Sequence, residues 1–263
     1  MTIVKHELRQ GRTALLIWIG VIAFMLSVCV FLYPEMKGEM DQMNEAFASM
    51  GSFTSAFGMD KLNFGTLIGY YAIECGNMMG LGSAFFAALT AAGMLSKEEK
   101  DKTAEFLLSH PFRRGRIVME KLIALLLQIT ALNAIIYLLA VGSIAAIGEK
   151  IPWKEVNLLH LAYYLLQLEL AGICFGISAF LRKGSAGIGL GVAALMYALN
   201  LISNITDSAD FLKYITPYAY CDGADIVGNG KLDGKLLLIG LAVFAGGIIA
   251  AYLKYTRKDI HCG

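Results

Sequence analysis

Charged residues are scarce in this sequence. They make up 16% of its 263 residues, whereas a soluble globular domain carries about 25%. Hydrophobic residues account for 57% of the chain, and the net charge is only +1. The composition therefore excludes an ordinary soluble domain and favours a protein that lies mostly within a membrane. A net charge this small gives no sign of a nucleic-acid partner, and we expect none.

Several catalytic and nucleotide-binding motifs are also missing. The sequence has no G-x-x-x-x-G-K-[ST] loop, no H-E-x-x-H pair, no G-x-S-x-G turn and no C-x-x-C pair. These motifs hold a nucleotide phosphate, a zinc ion, a serine nucleophile and a redox or metal-binding thiol pair. We therefore expect the chain not to be an enzyme and to hold no catalytic residue, metal or cofactor of its own.

Long apolar stretches are abundant instead. Six are present, each of about 20 residues or more, which is enough to cross the hydrocarbon core of a bilayer. The sequence therefore predicts an all-α integral membrane protein with six transmembrane helices in a single domain over 1–263. The predicted spans lie at about 13–32, 65–95, 117–147, 158–181, 185–203 and 235–253.

The positive charges fall on alternate sides of these stretches. The amino-terminal flank, the second and fourth loops and the carboxyl-terminal tail hold 15 Lys and Arg residues, counting Lys121 at the head of the third stretch. The other three loops hold 7. Because cytoplasmic loops carry the excess of positive charge, both termini are predicted to lie in the cytoplasm.

The ends of the first stretch carry two further predictions. Residues 1–12 place Ile3, Val4 and Leu8 on one face and basic residues opposite, which is typical of a helix lying in the membrane interface. A frayed charged terminus is an equal alternative. Pro34 is predicted to end the first span.

The loop between the second and third spans is predicted to contain a short charged helix. Ser96 and Glu99 have the spacing of a capping box, which indicates a helix start. Pro111 should end the helix, because the residue before a proline disfavours helical backbone. Near that end lie Leu107 and Leu108, an apolar pair that should pack on the membrane, on the bundle or on a partner. A solvated linker with an interfacial leucine pair is the alternative.

Three patterns in the sequence carry a family resemblance. They are Thr103-x-Glu105-x-Leu107-Leu108-Ser109-x-Pro111, with Glu98-Glu99 before it and Arg113-Arg114 and Lys121 after it; Pro217-Tyr218-Ala219-Tyr220 within residues 211–227; and Lys5-x-Glu7-Leu8-Arg9. In this order and placement they resemble the coupling segment, the stretch before the last span and the interfacial helix of type-2 ABC exporter permeases. That family usually has glycine where this chain has Lys102.

The resemblance implies the permease subunit of an ATP-driven exporter in the plasma membrane of a bacterium, surrounded by lipid. A second permease copy or a paralogous permease would pair with it. A separate ABC nucleotide-binding subunit, which binds ATP and Mg²⁺, would dock on the cytoplasmic loop. Short re-entrant helices would precede the last span. The residues implied to couple the permease to the ATPase are Glu99, Thr103, Glu105, Leu107, Leu108, Pro111 and Arg114.

Polar residues inside the apolar stretches suggest a translocation path. An ionised side chain costs a few kcal/mol in the bilayer centre, so it usually faces a cavity or a partner. Hydrogen bonds between neighbouring helices are the favoured alternative for each residue taken singly. Glycines four apart, such as Gly172 with Gly176 and Gly187 with Gly191, predict close helix packing. The candidate path residues are Tyr70, Glu74, Asn77, Asn133, Glu169 and Asn200.

Two other classes of function are alternatives. A membrane adaptor or sensor could bind an ATPase without moving cargo. An intramembrane enzyme would need a chemistry outside the motifs tested above. Cargo identity, and the choice between a homodimer and a heterodimer, are not readable from the sequence.

Overall fold

The computed structural model describes residues 2–38, 51–57, 59, 61–105, 112–181 and 186–258. This part of the chain is mostly helical and contains no β-strand. Six helices are long and apolar enough to cross a membrane, which confirms the predicted all-α integral membrane fold. We label them in chain order as α1 (Thr2–Met36), α2 (Leu67–Gly93), α3 (Arg114–Ala146), α4 (Trp153–Phe180), α5 (Ala186–Ile205) and α6 (Gly234–Arg257).

The helix boundaries lie within five residues of the predicted span boundaries, except at the start of α1. The predicted interfacial segment and the first span form one continuous helix that begins at Thr2. Ile3, Val4 and Glu7 are buried against the bundle. Pro34 lies inside the last turn of α1 and does not end it. The amino-terminal segment is therefore packed on the protein and not only on the membrane surface.

Helix α2 is irregular. Two π-helical turns, Tyr71–Cys75 and Met79–Ser83, interrupt its α-helical geometry. A π-turn bonds residues five apart and so rotates the side chains that follow it relative to a regular helix. Such turns are frequent at functional sites.

Helices α2 and α4 form the centre of the bundle. In the most apolar 18-residue window of each, 61% of residues are buried, against 11% in α6. Helix α6 packs mainly on α4, α1 on α3, and α5 on α2. The apolar outer faces of α1, α5 and α6 are exposed in the single chain, which fits contact with lipid or with another membrane subunit.

Glycines allow the closest helix contacts. A Cβ atom on Gly247 of α6 would lie 2.2 Å from the carbonyl oxygen of Gly172 on α4, and one on Gly176 would lie 3.0 Å from the carbonyl oxygen of Gly247. The predicted close approach at Gly172 and Gly176 is confirmed. On α5 the prediction at Gly191 is wrong for the described part of the chain, where nothing lies within 4 Å of its Cβ position. There Gly189 makes the close contact, because a Cβ atom on it would lie 2.6 Å from the carbonyl oxygen of Ala88 on α2.

Short helices precede α6, as the resemblance implied. They are two 3₁₀ helices, Asp207–Tyr214 and Ala219–Cys221, and one α-helix, Gly223–Asn229. The side chain of Asp222 caps the α-helix by accepting a hydrogen bond of 2.8 Å from the Ala224 amide. Tyr218, Tyr220 and Cys221 are buried against the bundle, so this segment closes one end of it. We call this the closed end. The basic end is the opposite one, where the start of α1, residues 97–105, the start of α3 and Lys258 meet.

Candidate functional site

A buried ion-pair cluster at the basic end has Lys121 at its centre. The Lys121 side chain is fully buried, and its Nζ lies 3.0 Å from Glu7 Oε1 and forms a second ion pair with Glu98. The same ammonium group donates a hydrogen bond of 2.7 Å to the carbonyl oxygen of Met94. A buried charge is tolerated only when it is paired and hydrogen-bonded in this way. The cluster joins α1, the end of α2, the following loop and α3.

Further polar contacts tie the start of α1 to the same region. Lys97 forms an ion pair with Glu7 and donates a hydrogen bond of 2.6 Å to Gln10 Oε1. Glu120 of α3 accepts a hydrogen bond of 3.0 Å from the Ile3 amide, at the amino terminus of α1. A carboxylate in that position satisfies a helix-end donor and complements the helix dipole. The amino-terminal turn of α1 is thereby fixed to α3.

Lys258, the residue that follows α6, also reaches this region. Its Nζ lies 2.6 Å from Glu99 Oε1 and donates a hydrogen bond of 2.7 Å to the carbonyl oxygen of Leu181. Arg114 donates a hydrogen bond of 2.6 Å to the carbonyl oxygen of Lys258. Lys258, which follows α6, is therefore held by the loop, by α3 and by the end of α4.

The loop before α3 does not form the single charged helix that the sequence predicted. Helix Lys97–Lys100 ends after one turn, and Ser96 makes no side-chain cap. The Ser96 hydroxyl oxygen is buried and has no hydrogen-bond partner among the described residues, so the predicted capping box is wrong. The chain then turns at Lys102, whose φ of +56° is in the left-handed region that favours glycine. Lysine thus adopts the turn for which the family usually has glycine.

The predicted coupling residues fall into three groups. Glu99 and Arg114 hold Lys258 within the chain. Thr103 and Glu105 have exposed side chains next to the turn. The remaining three lie outside the described residues, so their contact with an ATPase stays a prediction; they are Leu107, Leu108 and Pro111.

Of the candidate path residues, Asn77 and Asn200 line one cavity, whereas Asn133 and Glu169 are hydrogen-bonded to other side chains. Asn133 of α3 and Gln167 of α4 form two reciprocal amide hydrogen bonds of 2.7 and 3.0 Å. Glu169 accepts a hydrogen bond of 3.1 Å from the Tyr220 hydroxyl, and its Oε2 occupies the space beside Gly240 of α6 where a Cβ would lie. These contacts support the alternative in which each side chain holds neighbouring elements together.

The π-turns separate the polar residues of α2. On a regular helix Tyr70, Glu74 and Asn77 would share one face. In the structure, Tyr70 donates a hydrogen bond of 3.1 Å to the carbonyl oxygen of Cys29 on α1. Asn77 instead lines a small cavity at the closed end, together with Asn200 of α5. Tyr70 and Asn77 therefore have different surroundings, and a role for these residues in a translocation path stays a prediction.

Sequence reasoning missed the roles of Glu7, Lys121 and Lys258. The sequence analysis counted Lys121 among the cytoplasmic positive charges and placed Glu7 in the pattern of the interfacial helix, and it gave Lys258 no role of its own. A signal was present for Lys121, because it lies inside the third apolar stretch, where an isolated charge requires partners. The identity of those partners could not be read, because they come from distant parts of the chain.

Six apolar helices, closed at one end by short helices and tied at the other by buried ion pairs, define a multi-pass helical membrane protein. The chain belongs to the ABC-2 transporter family, since the family described as ABC-2 family transporter protein matches residues 1–260. The resemblance stated from the sequence is thus confirmed. Membership places the chain among the membrane proteins of the ABC-2 transporter family.

One curated relative is an uncharacterized protein, YhcI, of Bacillus subtilis (strain 168). It is 23% identical to this chain over 204 residues. The alignment covers 68% of this chain and 64% of the relative, so the chain spans less than two thirds of that protein's length.

Proposed function

We propose that the chain is the permease subunit of an ATP-driven exporter and that it couples to separate nucleotide-binding subunits, which hold ATP and Mg²⁺. The basic end would face the cytoplasm of a bacterial cell, with the whole of 1–263 forming one transmembrane domain in the plasma membrane. A second copy or a paralogous permease would cover part of the exposed apolar surface. Family membership supports the transport role, and the distribution of positive charge supports the orientation.

The observation that carries this proposal is the buried charge cluster around Lys121. The loop that would meet the ATPase is joined to α3 and α1 by the ion pairs of Glu98 and Glu7 with Lys121. The ion pair of Glu99 with Lys258 joins the same loop to the end of α6. A displacement of the loop must therefore move these helix ends or break buried ion pairs, which is costly.

The mechanism follows from these connections. ATP binding would close the two nucleotide-binding subunits and push on residues 103–111, with Leu107 and Leu108 seated in an apolar groove of the ATPase. The loop would pass the displacement to α1, α3 and α6. Their movement would open the path on one side of the membrane and close it on the other. The chain itself would make and break no covalent bond.

The double variant Leu107→Glu/Leu108→Glu tests the coupling role. We expect it to abolish co-purification with the ATPase subunit and stimulation of ATP hydrolysis in liposomes, because two carboxylates cannot enter an apolar groove without large desolvation cost. Lys100→Glu is the matched control, since it adds negative charge to an exposed position of the same loop. A double variant that stays assembled and fully responsive to ATP would contradict the proposal.

The adaptor alternative needs a different measurement, because an adaptor would also co-purify with the ATPase. The reconstituted complex should be screened with drugs, peptides and lipids for stimulation of ATP hydrolysis. Stimulation together with accumulation of the compound across the membrane supports an exporter. ATPase binding without any transported compound favours the adaptor.

A further inference from the structure

Helix α1 has an exposed face whose chemistry changes along its length. The apolar part of this face extends from Leu16 to Phe31, and these two side chains are 58% and 52% exposed. Toward the basic end, Lys5, Arg9 and Arg12 are also exposed. They share the face of Leu16, because residues spaced three or four apart lie above one another on a helix. We call these three residues the basic stripe.

The basic stripe makes no ion pair with the described part of the chain. Glu7, the only carboxylate in the first half of α1, is buried on the opposite face, where it pairs with Lys97 and Lys121. Glu120 of α3 accepts a hydrogen bond of 3.0 Å from the Ile3 amide. Both carboxylates are therefore engaged inside the bundle, and the charges of the stripe stay exposed.

The position of the stripe along α1 sets its depth in a bilayer. Leu16 and Phe31 are about 22 Å apart along the helix axis. This length fits within the hydrocarbon core of a bilayer, which is about 30 Å thick, so the core ends within about one helical turn of Leu16. Arg12 and Arg9 then lie at the level of the lipid headgroups, and Lys5 lies about one turn further out.

We propose that the basic stripe binds the phosphate groups of anionic phospholipids in the leaflet at the basic end. Guanidinium groups bind phosphate oxygens through paired hydrogen bonds, and Lys and Arg residues beside a transmembrane helix attract anionic lipids. A lipid is the occupant that the geometry favours, because the stripe continues the exposed apolar face along which acyl chains would lie. The proposal is independent of whether the chain exports cargo.

Quenching of tryptophan fluorescence by brominated lipids measures which lipid lies against the stripe. The reporter protein carries Leu16→Trp, one turn from Arg12, together with Trp18→Phe and Trp153→Phe, which remove both natural tryptophans. The sample is liposomes of phosphatidylglycerol and phosphatidylcholine in which one of the two lipids is brominated. We expect an association constant for phosphatidylglycerol about fivefold higher than that for phosphatidylcholine. Salt at about 1 M should reduce this preference, because it screens the charges.

Removal of the charges decides whether the stripe causes the preference. Lys5→Gln/Arg9→Gln/Arg12→Gln in the reporter protein should abolish it, since glutamine supports a helix and carries no charge. The single change Arg12→Gln should lower the ratio of the association constants about twofold, and it decides the matter where the triple variant fails to fold. Where Trp18→Phe prevents folding, Trp18 is kept and its signal, measured without Leu16→Trp, is subtracted.

The matched control is Lys150→Gln/Lys231→Gln/Lys235→Gln, which removes three exposed charges at the closed end. It should leave the preference at Leu16→Trp unchanged. Equal quenching by the two lipids in the reporter protein would overturn the proposal, and so would a preference that persists without the charges of the stripe. Absence of quenching by either lipid would show that a protein subunit covers this face, which also overturns it.

Discussion

Lys121 shows how one charge can organise several distant segments. Its ammonium group lies within 3.0 Å of Glu7 Oε1 and within hydrogen-bond distance of the Met94 carbonyl oxygen. These groups belong to three different helical regions, and none can be separated from Lys121 without leaving a buried polar group unsatisfied. The Lys121 side chain thus joins α1, the end of α2 and α3 through one buried ammonium group.

Removal of the Lys121 charge should therefore destabilise the protein strongly. We expect Lys121→Met to lower the free energy of unfolding by about 3–5 kcal/mol, because it removes the fully buried ammonium group that pairs with the buried carboxylate of Glu7. Lys100→Met, at an exposed position of the same loop, should change it by less than about 0.5 kcal/mol. Unfolding by increasing SDS in mixed micelles measures both. Equal stability of the two variants would show that the cluster contributes little.

The residues of α4 were predictable from the sequence, whereas those of α2 were not. On α4 a regular helical period places Glu169, Gly172 and Gly176 on one face, and the structure shows all three against α6. On α2 the π-turns break that period, and no pattern in the sequence predicts them. The buried ion pairs were equally hidden, because periodicity describes one helix and says nothing about which distant segment faces it.

The contact between helices α4 and α6 depends on glycines, which have no side chain and let the two backbones touch. A Cβ on Gly247 would come within 2.2 Å of the Gly172 carbonyl oxygen, a distance at which one helix must move. No described residue lies within 4 Å of the Cβ position of its neighbour Gly246. Close helix packing of this kind replaces the hydrophobic effect, which does not act between helices in lipid.

These two glycines give a matched pair of variants. Gly247→Ala should lower the free energy of unfolding by about 1–3 kcal/mol, since it forces α6 away from α4. Gly246→Ala should leave it unchanged or raise it by up to about 1 kcal/mol, because alanine is the better helix former. The midpoint of thermal unfolding in one detergent compares them. If Gly246→Ala lowers the free energy of unfolding more than Gly247→Ala does, the face of α6 that packs on α4 is the one that carries Gly246, and the contact described above is contradicted.

At the scale of the whole molecule, the two ends of the bundle differ in chemistry. The basic end gathers the chain start, the loop before α3 and Lys258 around buried ion pairs. The closed end consists of short helices and a small cavity. An exporter needs this asymmetry, because one end must receive a push from an ATPase and the other must release cargo. The orientation of the bundle therefore decides whether the proposed mechanism can operate.

Cysteine labelling in intact cells measures that orientation. Lys231→Cys and Lys100→Cys place single exposed thiols at the closed and basic ends, each combined with Cys262→Ser to remove the cysteine near the chain end. Because positively charged loops stay in the cytoplasm, a membrane-impermeant maleimide should label Lys231→Cys in intact cells and Lys100→Cys only after permeabilisation. The four cysteines on the described residues are buried or half-buried, so their background should be low. Labelling of Lys100→Cys in intact cells would put the charge cluster on the side without ATP, where no ATPase could drive it.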